Sequence, residues 1–322
     1  MRYLVLGGTR FVGRHIAEAA LTRGHELTLF NRGKSDPDAV PYATQVHGDR
    51  DGGLGALGEQ TFDRVIDVSG YVPRLVRASA ELLADRTQHY TFISSESVYR
   101  FGGLKPGIDE HSDLFELDDP SIEEVTNETY GGLKVLCERA VEDVFGRRSL
   151  IVRPGYVVGP GDHSDRFTYW VERIAEGGEV LAPGRPERIV QVVDGRDLGD
   201  WTIWMADRRR PGPYNASGPE YVLSWGLLLN RIRYVLGSDC EFTWVEDDFL
   251  RSQKVELPLY DAEESAGDGF DSSRAVHEGL LFRSLAETIA DTYEWSGKRG
   301  VDALKAGPSR DQEAALLAQW HA

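Results

Sequence analysis

Arg2-Tyr3-Leu4-Val5-Leu6-Gly7-Gly8-Thr9-Arg10-Phe11-Val12-Gly13 opens the chain, and its reading decides the fold class. The apolar run up to Leu6 predicts a short buried strand, and the glycines that follow predict a tight turn. From residue 12 to residue 23 the apolar side chains Val12, Ile16, Ala19 and Ala20 repeat at helical spacing, and Gly24 is a natural helix stop. Residues 26–30 then read as a second strand. Gly7 allows the chain to turn sharply and Gly13 allows the helix to pack closely. Strand, glycine turn, helix and strand in this order predict the first unit of a parallel sheet.

Working outward, further strands are predicted at residues 44–47, 64–68, 90–94 and 149–153, separated by longer helical patterns that cover both sheet faces. The fold class is therefore α/β: a Rossmann-type doubly wound parallel sheet with a smaller C-terminal cap. Residues 1–160 form the sheet domain. Residues 161–322 form mainly the cap, with about 188–200 returning to the sheet. In the second half an aromatic helix is expected at 167–175, a strand at 189–193 and a helix at 224–236, and the tail from Gly307 reads as small and polar with a short helical pattern. The acidic stretch 102–127 reads as a solvated loop, with a substrate lid as the sharper alternative.

Composition narrows the function classes. Thirty-six basic residues against 53 acidic give a net charge of −17 over 322 residues. Such a surface repels nucleic acid and anionic membranes, so neither is an expected partner. Cys137 and Cys240 are the only cysteines, and the histidines lack ligand spacing, so neither a disulfide framework nor a metal site is expected. The start of the chain is too soon interrupted for a signal peptide or membrane anchor, and a reducing, cytoplasmic location is expected.

The glycine turn sits where helix amides receive a pyrophosphate, which makes Gly7, Thr9, Arg10, Phe11, Val12 and Gly13 candidate cofactor contacts. Where the second strand ends, a carboxylate would suit the ribose hydroxyls of NAD(H), but this chain has Asn31-Arg32-Gly33-Lys34. With Arg10, these cations suit a 2′-phosphate, so NADP(H) is favoured and NAD(H) is the alternative. Asp49 and Arg50, after the third strand, are placed to meet the adenine edge. Downstream, Tyr130-Gly131-Gly132-Leu133-Lys134 puts a phenol and an ammonium on one helical face. The ammonium favours the phenolate, so Tyr130 becomes a candidate general acid/base, with Ser95 to hold a substrate oxygen. His163 is a weaker candidate acid/base, and Phe167, Tyr169 and Trp170 read equally as ring-stacking or core residues.

Taken with Arg153-Pro154-Gly155-Tyr156-Val157-Val158-Gly159-Pro160-Gly161, Asp194-Gly195-Arg196-Asp197-Leu198 and Tyr214-Asn215-Ala216-Ser217-Gly218, these motifs resemble the extended short-chain dehydrogenase/reductase superfamily, which includes nucleotide-sugar epimerases and dehydratases. The resemblance implies that Lys134 lowers the Tyr130 pKa and binds the nicotinamide ribose, that Ser69 and Gly70 line the cofactor, and that Pro154 and Val157 flank the nicotinamide. It further implies a small sugar-like or cyclic substrate and a homodimer through paired helices. The glycine turn and residues 30–34 are similar to an atypical subgroup that includes chloroplast stem-loop RNA-binding proteins.

Three departures stand out. Arg10 replaces the usual middle glycine, Tyr156 stands where many sugar-nucleotide epimerases carry asparagine, and Glu96-Ser97 offers only half of a dehydratase acidic pair. The leading expectation is an NAD(P)(H)-dependent oxidoreductase moving hydride between nicotinamide and a secondary alcohol or ketone. The alternative is an epimerase or dehydratase with retained cofactor, and an RNA-binding protein on the same scaffold is a remote third.

Overall fold

The computed structural model describes residues 1–36, 39–100, 107–260, 269–300 and 304–322. In chain order the elements are β1 (Arg2–Leu6), α1 (Phe11–Thr22), β2 (Glu26–Asn31), β3 (Thr44–His47), β4 (Arg64–Asp67), α2 (Pro73–Leu83), β5 (Tyr90–Ile93), α3 (Asn127–Phe145) and β6 (Ser149–Pro154). There follow β7 (Tyr156–Val158), α4 (Arg166–Ala175), β8 (Glu179–Pro183), β9 (Val192–Asp194), α5 (Gly195–Asp207) and β10 (Gly212–Ala216). The chain ends with α6 (Trp225–Leu236), β11 (Glu241–Val245), α7 (Asp247–Gln253), α8 (Ser273–His277), α9 (Leu285–Lys298) and α10 (Arg310–Trp320).

The chain divides into two compact units, the first made of residues 1–155, 195–217 and 270–281. Its seven strands run in the order β10-β6-β5-β4-β1-β2-β3, every pairing parallel. Strand order reverses between β1 and β4, and in such sheets ligands bind at the carboxyl ends beside that reversal. β4, β5 and β6 are buried along their whole length, as strands of a parallel sheet covered on both faces should be. One face carries α1 against α5, the other α2 against α3. Close packing of the first pair depends on Gly199, where an added Cβ would come within 2.8 Å of the His15 carbonyl carbon.

The second unit, residues 156–194, 218–269 and 282–322, holds two two-stranded parallel pairs, β7 with β9 and β8 with β11. Its core is built on Phe167, Trp170, Ile174, Trp225, Leu228 and Ile232, with the Trp170 indole N–H donating to the Pro258 carbonyl at 2.7 Å. The aromatic residues of α4 therefore serve as core. The return to the sheet, expected at about 188–200, lies at 195–217, and residues 270–281 return as well. The reason is β10, which pairs with β6 and completes the sheet edge. The tail is also more than a polar appendage: Leu316 and Leu317 of α10 enter the core, and Glu313 pairs with buried Arg173. Of the acidic stretch 102–127, the first residues lie outside those described; Phe115 donates its N–H to the Val98 carbonyl at 2.7 Å.

Candidate active site

The carboxyl ends of β1, β2, β4 and β5 carry most of the residues singled out from the sequence. After β1, Gly7 and Gly8 take φ of +105° and +91°, a region that favours glycine. A Cβ on Gly7 would come within 2.6 Å of the Val68 side chain, and one on Gly13 within 2.9 Å of the Gly8 backbone. Thr9 lies within the turn. Arg10 is the N-cap of α1 in ordinary extended geometry, φ −131° and ψ 143°, so the missing middle glycine carries no backbone strain at that position. Its side chain is exposed. The left-handed turn falls instead on Phe11, φ +32°, whose ring is buried ahead of Val12.

Thr126 and Thr129 form a full capping box on α3. For α1, among the described residues the N-cap Arg10 makes no side-chain cap hydrogen bond, and helix N-terminal amides beside a glycine turn are the donor set a pyrophosphate requires. Residues and cofactor class fit.

At the end of β2, the Asn31 side chain donates to Gln45 at 2.9 Å and accepts the Gly33 N–H at 2.8 Å, fixing the turn that presents exposed Arg32 and Lys34. Asp49, exposed after β3, accepts the Asp51 N–H at 3.0 Å. Arg50 is committed elsewhere than an adenine edge: its guanidinium grips both carboxylate oxygens of buried Asp67, one at 2.7 Å, and donates to the Leu75 carbonyl at 3.2 Å. Burial would raise the Asp67 carboxyl, but Arg50 and the Tyr90 hydroxyl hold it below the usual carboxylate range. Ser69 accepts no such role in an ion pair; its hydroxyl donates to the Leu6 carbonyl at 3.2 Å and so ties β4 to β1.

Ser95 follows β5, its Oγ accepting the Ser97 N–H at 3.1 Å and donating to the Ser97 hydroxyl at 3.1 Å. Tyr130 stands in the first turn of α3, partly buried. Gly131 brings that turn directly onto the Ser95–Ser97 segment, because a Cβ there would lie 2.1 Å from the Ser97 carbonyl oxygen. One helical turn on, Lys134 is buried. Its Nζ donates to the Gly70 carbonyl at 2.9 Å and the Ile93 carbonyl at 2.7 Å, at the ends of β4 and β5. It also lies 4.2 Å from the Phe92 ring centroid and 5.5 Å from that of Tyr71. Burial pushes its pKa down to about 8. An ammonium has three donors, so one N–H remains beyond the two carbonyls.

Pro154 ends β6 in the first unit, and Val157 lies in β7 of the second. Between them, Gly155 admits two neighbours that a side chain would displace: Glu96 Oε2 and Ser217 Oγ would be 2.3 and 2.2 Å from its Cβ. Sequence reasoning missed Tyr71, whose ring meets Tyr130 at 6.4 Å between centroids. The signal was an aromatic residue next to Ser69-Gly70. Among the described residues, no group of three or more His, Cys, Asp or Glu is arranged to hold a metal ion, and no helix is long and apolar enough to cross a membrane.

A doubly wound sheet with a glycine turn after β1, a serine after β5 and a tyrosine-lysine helix is the arrangement that the resemblance to the short-chain dehydrogenase/reductase class implies. Residues 70–217 match the model of the NAD dependent epimerase/dehydratase family. A chloroplast stem-loop binding protein of 41 kDa from Arabidopsis thaliana is 27% identical over 244 residues; the match takes in 70% of this chain and 61% of that protein's length. In structure, the chain is similar to the UDP-glucuronic acid 4-epimerase of Bacillus cereus in complex with NAD, with a TM-score of 0.70 at 15% identity over 92% of this chain and 96% of that one. It is also similar to the Bordetella bronchiseptica enzyme WbmH in complex with NAD+, with a TM-score of 0.70 at 16% identity over 93% and 99% of the two chains. At these identities the likeness concerns the fold.

Proposed function

We propose that this chain is an NAD(P)(H)-dependent oxidoreductase acting on a secondary alcohol or ketone of a sugar-like or cyclic substrate. The observation that carries the proposal is the seat of Lys134: two carbonyls and two rings hold its ammonium one turn beyond Tyr130, with a third N–H left for a ribose hydroxyl. The α1 amides and the glycines would hold the pyrophosphate. When bound, the nicotinamide supplies or takes up a hydride. In the reducing direction Tyr130 gives its phenolic proton to the substrate oxygen, and in the oxidising direction it takes that proton back; the Ser95 hydroxyl donates a hydrogen bond to the same oxygen.

Exposed Arg32 and Lys34 on the turn fixed by Asn31, with Arg10 across the glycine turn, support a preference for the 2′-phosphate of NADP(H). The test is titration of purified protein with NADPH, NADP+, NADH and NAD+, after denaturing a portion to release any copurified nucleotide. Reversible binding with a strong NADPH preference, lost in Arg32→Ala/Lys34→Ala, is the expected result. Tightly copurified NAD(H) would replace the reductase with an epimerase that keeps its cofactor, the reading favoured by the NAD-bound epimerases of similar fold. A homodimer through paired helices belongs to the same proposal and is checked by light scattering.

A further inference from the structure

We infer that Tyr71 is a positioning residue for the Tyr130–Lys134 pair, acting through its ring as the wall that keeps water from the ammonium. The inference rests on the reading of Tyr130 as the acid/base. Three independent features of the backbone put the ring there. Gly70 is pressed so closely onto Phe92 that an added Cβ would sit 2.4 Å from that ring, and its carbonyl is one of the two that hold Lys134. Pro73, the first residue of α2, restricts Val72 to the extended geometry it shows, φ −114° and ψ 122°. Tyr71 is thus pinned from both sides, yet 48% of its surface is exposed, far more than its place among buried strand ends would predict.

From that position one side of the ring covers the Lys134 ammonium at 5.5 Å while Phe92 covers it from below at 4.2 Å, and Tyr71 also meets Tyr130 at 6.4 Å. Cation–π attraction holds the ammonium between the two rings. The ring also does what its hydroxyl cannot: by excluding water it leaves the attraction between ammonium and phenolate unscreened. The other titratable groups acting on Lys134 are Asp67 on β4, Cys137 and Glu138 on α3, and Arg50 after β3. All four stay in place when only Tyr71 is changed.

Removing the ring admits water that screens the ammonium from the phenolate and makes the phenolate harder to form; the lysine's return toward its ordinary range keeps the ammonium charged to higher pH and opposes this only in part. The experiment is ultraviolet titration of phenolate absorbance in the cofactor-free protein, each variant read against its own Tyr130→Phe partner so that only Tyr130 contributes. In the parent, Tyr130 phenolate forming below about pH 9 upholds the acid/base reading, and none forming there defeats that reading by itself. Given such a signal, Tyr71→Phe should keep the parent midpoint, while Tyr71→Ala and Tyr71→Ser should raise it by about one unit. An unmoved midpoint in Tyr71→Ala overturns the inference, as does a Tyr71→Phe shift equal to that of Tyr71→Ala, which would assign the effect to the hydroxyl. If Tyr71→Ala does not fold, Tyr71→Ser decides on the same terms, since it also opens the wall at a position that is half exposed.

Discussion

Lys134 lies in surroundings that work against its charge. Its two carbonyl acceptors and two rings offset only part of the burial, and its pKa falls to about 8 from an ordinary 10.5. In the unfolded chain the amine stays protonated until about pH 10.5, so between the two values the unfolded state binds more protons and stability rises with pH. The rise amounts to on the order of 3 kcal/mol across the window. It should vanish in Lys134→Met, when urea midpoints are compared at pH 7.5 and pH 10; equal slopes in parent and variant would refute it. Such strain at a buried ammonium is what proton transfer near neutrality needs. The packing of the Tyr130–Lys134 turn on the segment at Ser95 was legible because spacing and order carried it. Arg50 was less so, since proximity in sequence to the end of β3 does not reveal that buried Asp67, on a strand three places away, claims its guanidinium.

At the scale of elements, the decisive contact is that of α3 on the turn after β5. Gly131 makes it possible, and the atom its Cβ would strike is a backbone oxygen that cannot swing aside. Gly131→Ala should therefore destabilise the protein by about 1–3 kcal/mol and, by moving Tyr130 away from Ser95, reduce turnover more than cofactor affinity. Gly146→Ala, at a site with nothing within 4 Å but a φ of +50°, supplies the control: backbone strain without the contact. A Gly131→Ala protein with parental turnover would show that the contact sets no catalytic distance. The strands up to β6 could be read from apolar runs and turn residues. β10 could not: Gly212-Pro213-Tyr214-Asn215-Ala216 begins with two strand breakers, tolerated because it is the outermost strand and its register is imposed by β6. Nor could α10 be recognised as core, because Leu316, Leu317 and Trp320 are scattered along its inner side and Glu313 is buried by virtue of Arg173.

For the whole molecule, acid is the weak side. His89 is fully buried just before β5, and its Nε2 donates to the Arg210 carbonyl at 3.1 Å while Nδ1 has no hydrogen-bond partner among the described residues. Burial pushes its pKa down to about 4, against 6.5 when exposed. As pH falls through 6.5 toward 4 the unfolded chain takes up a proton that the folded one refuses, and on the order of 3 kcal/mol of stability is lost. His89→Gln keeps a donor for Arg210 without the titration, so its thermal midpoint should fall less steeply than the parent's between pH 7 and pH 4.5.

The discontinuity of both units has a consequence for synthesis. The first unit needs residues 270–281, and the second needs Glu313 to pair with Arg173 and to accept the Leu181 amide. On a ribosome, where the chain appears from its amino end, the early strands must wait, apolar edges uncovered, for partners translated much later. Neither half can complete its fold as a nascent fragment, so cofactor capture at the glycine turn competes with aggregation during that delay.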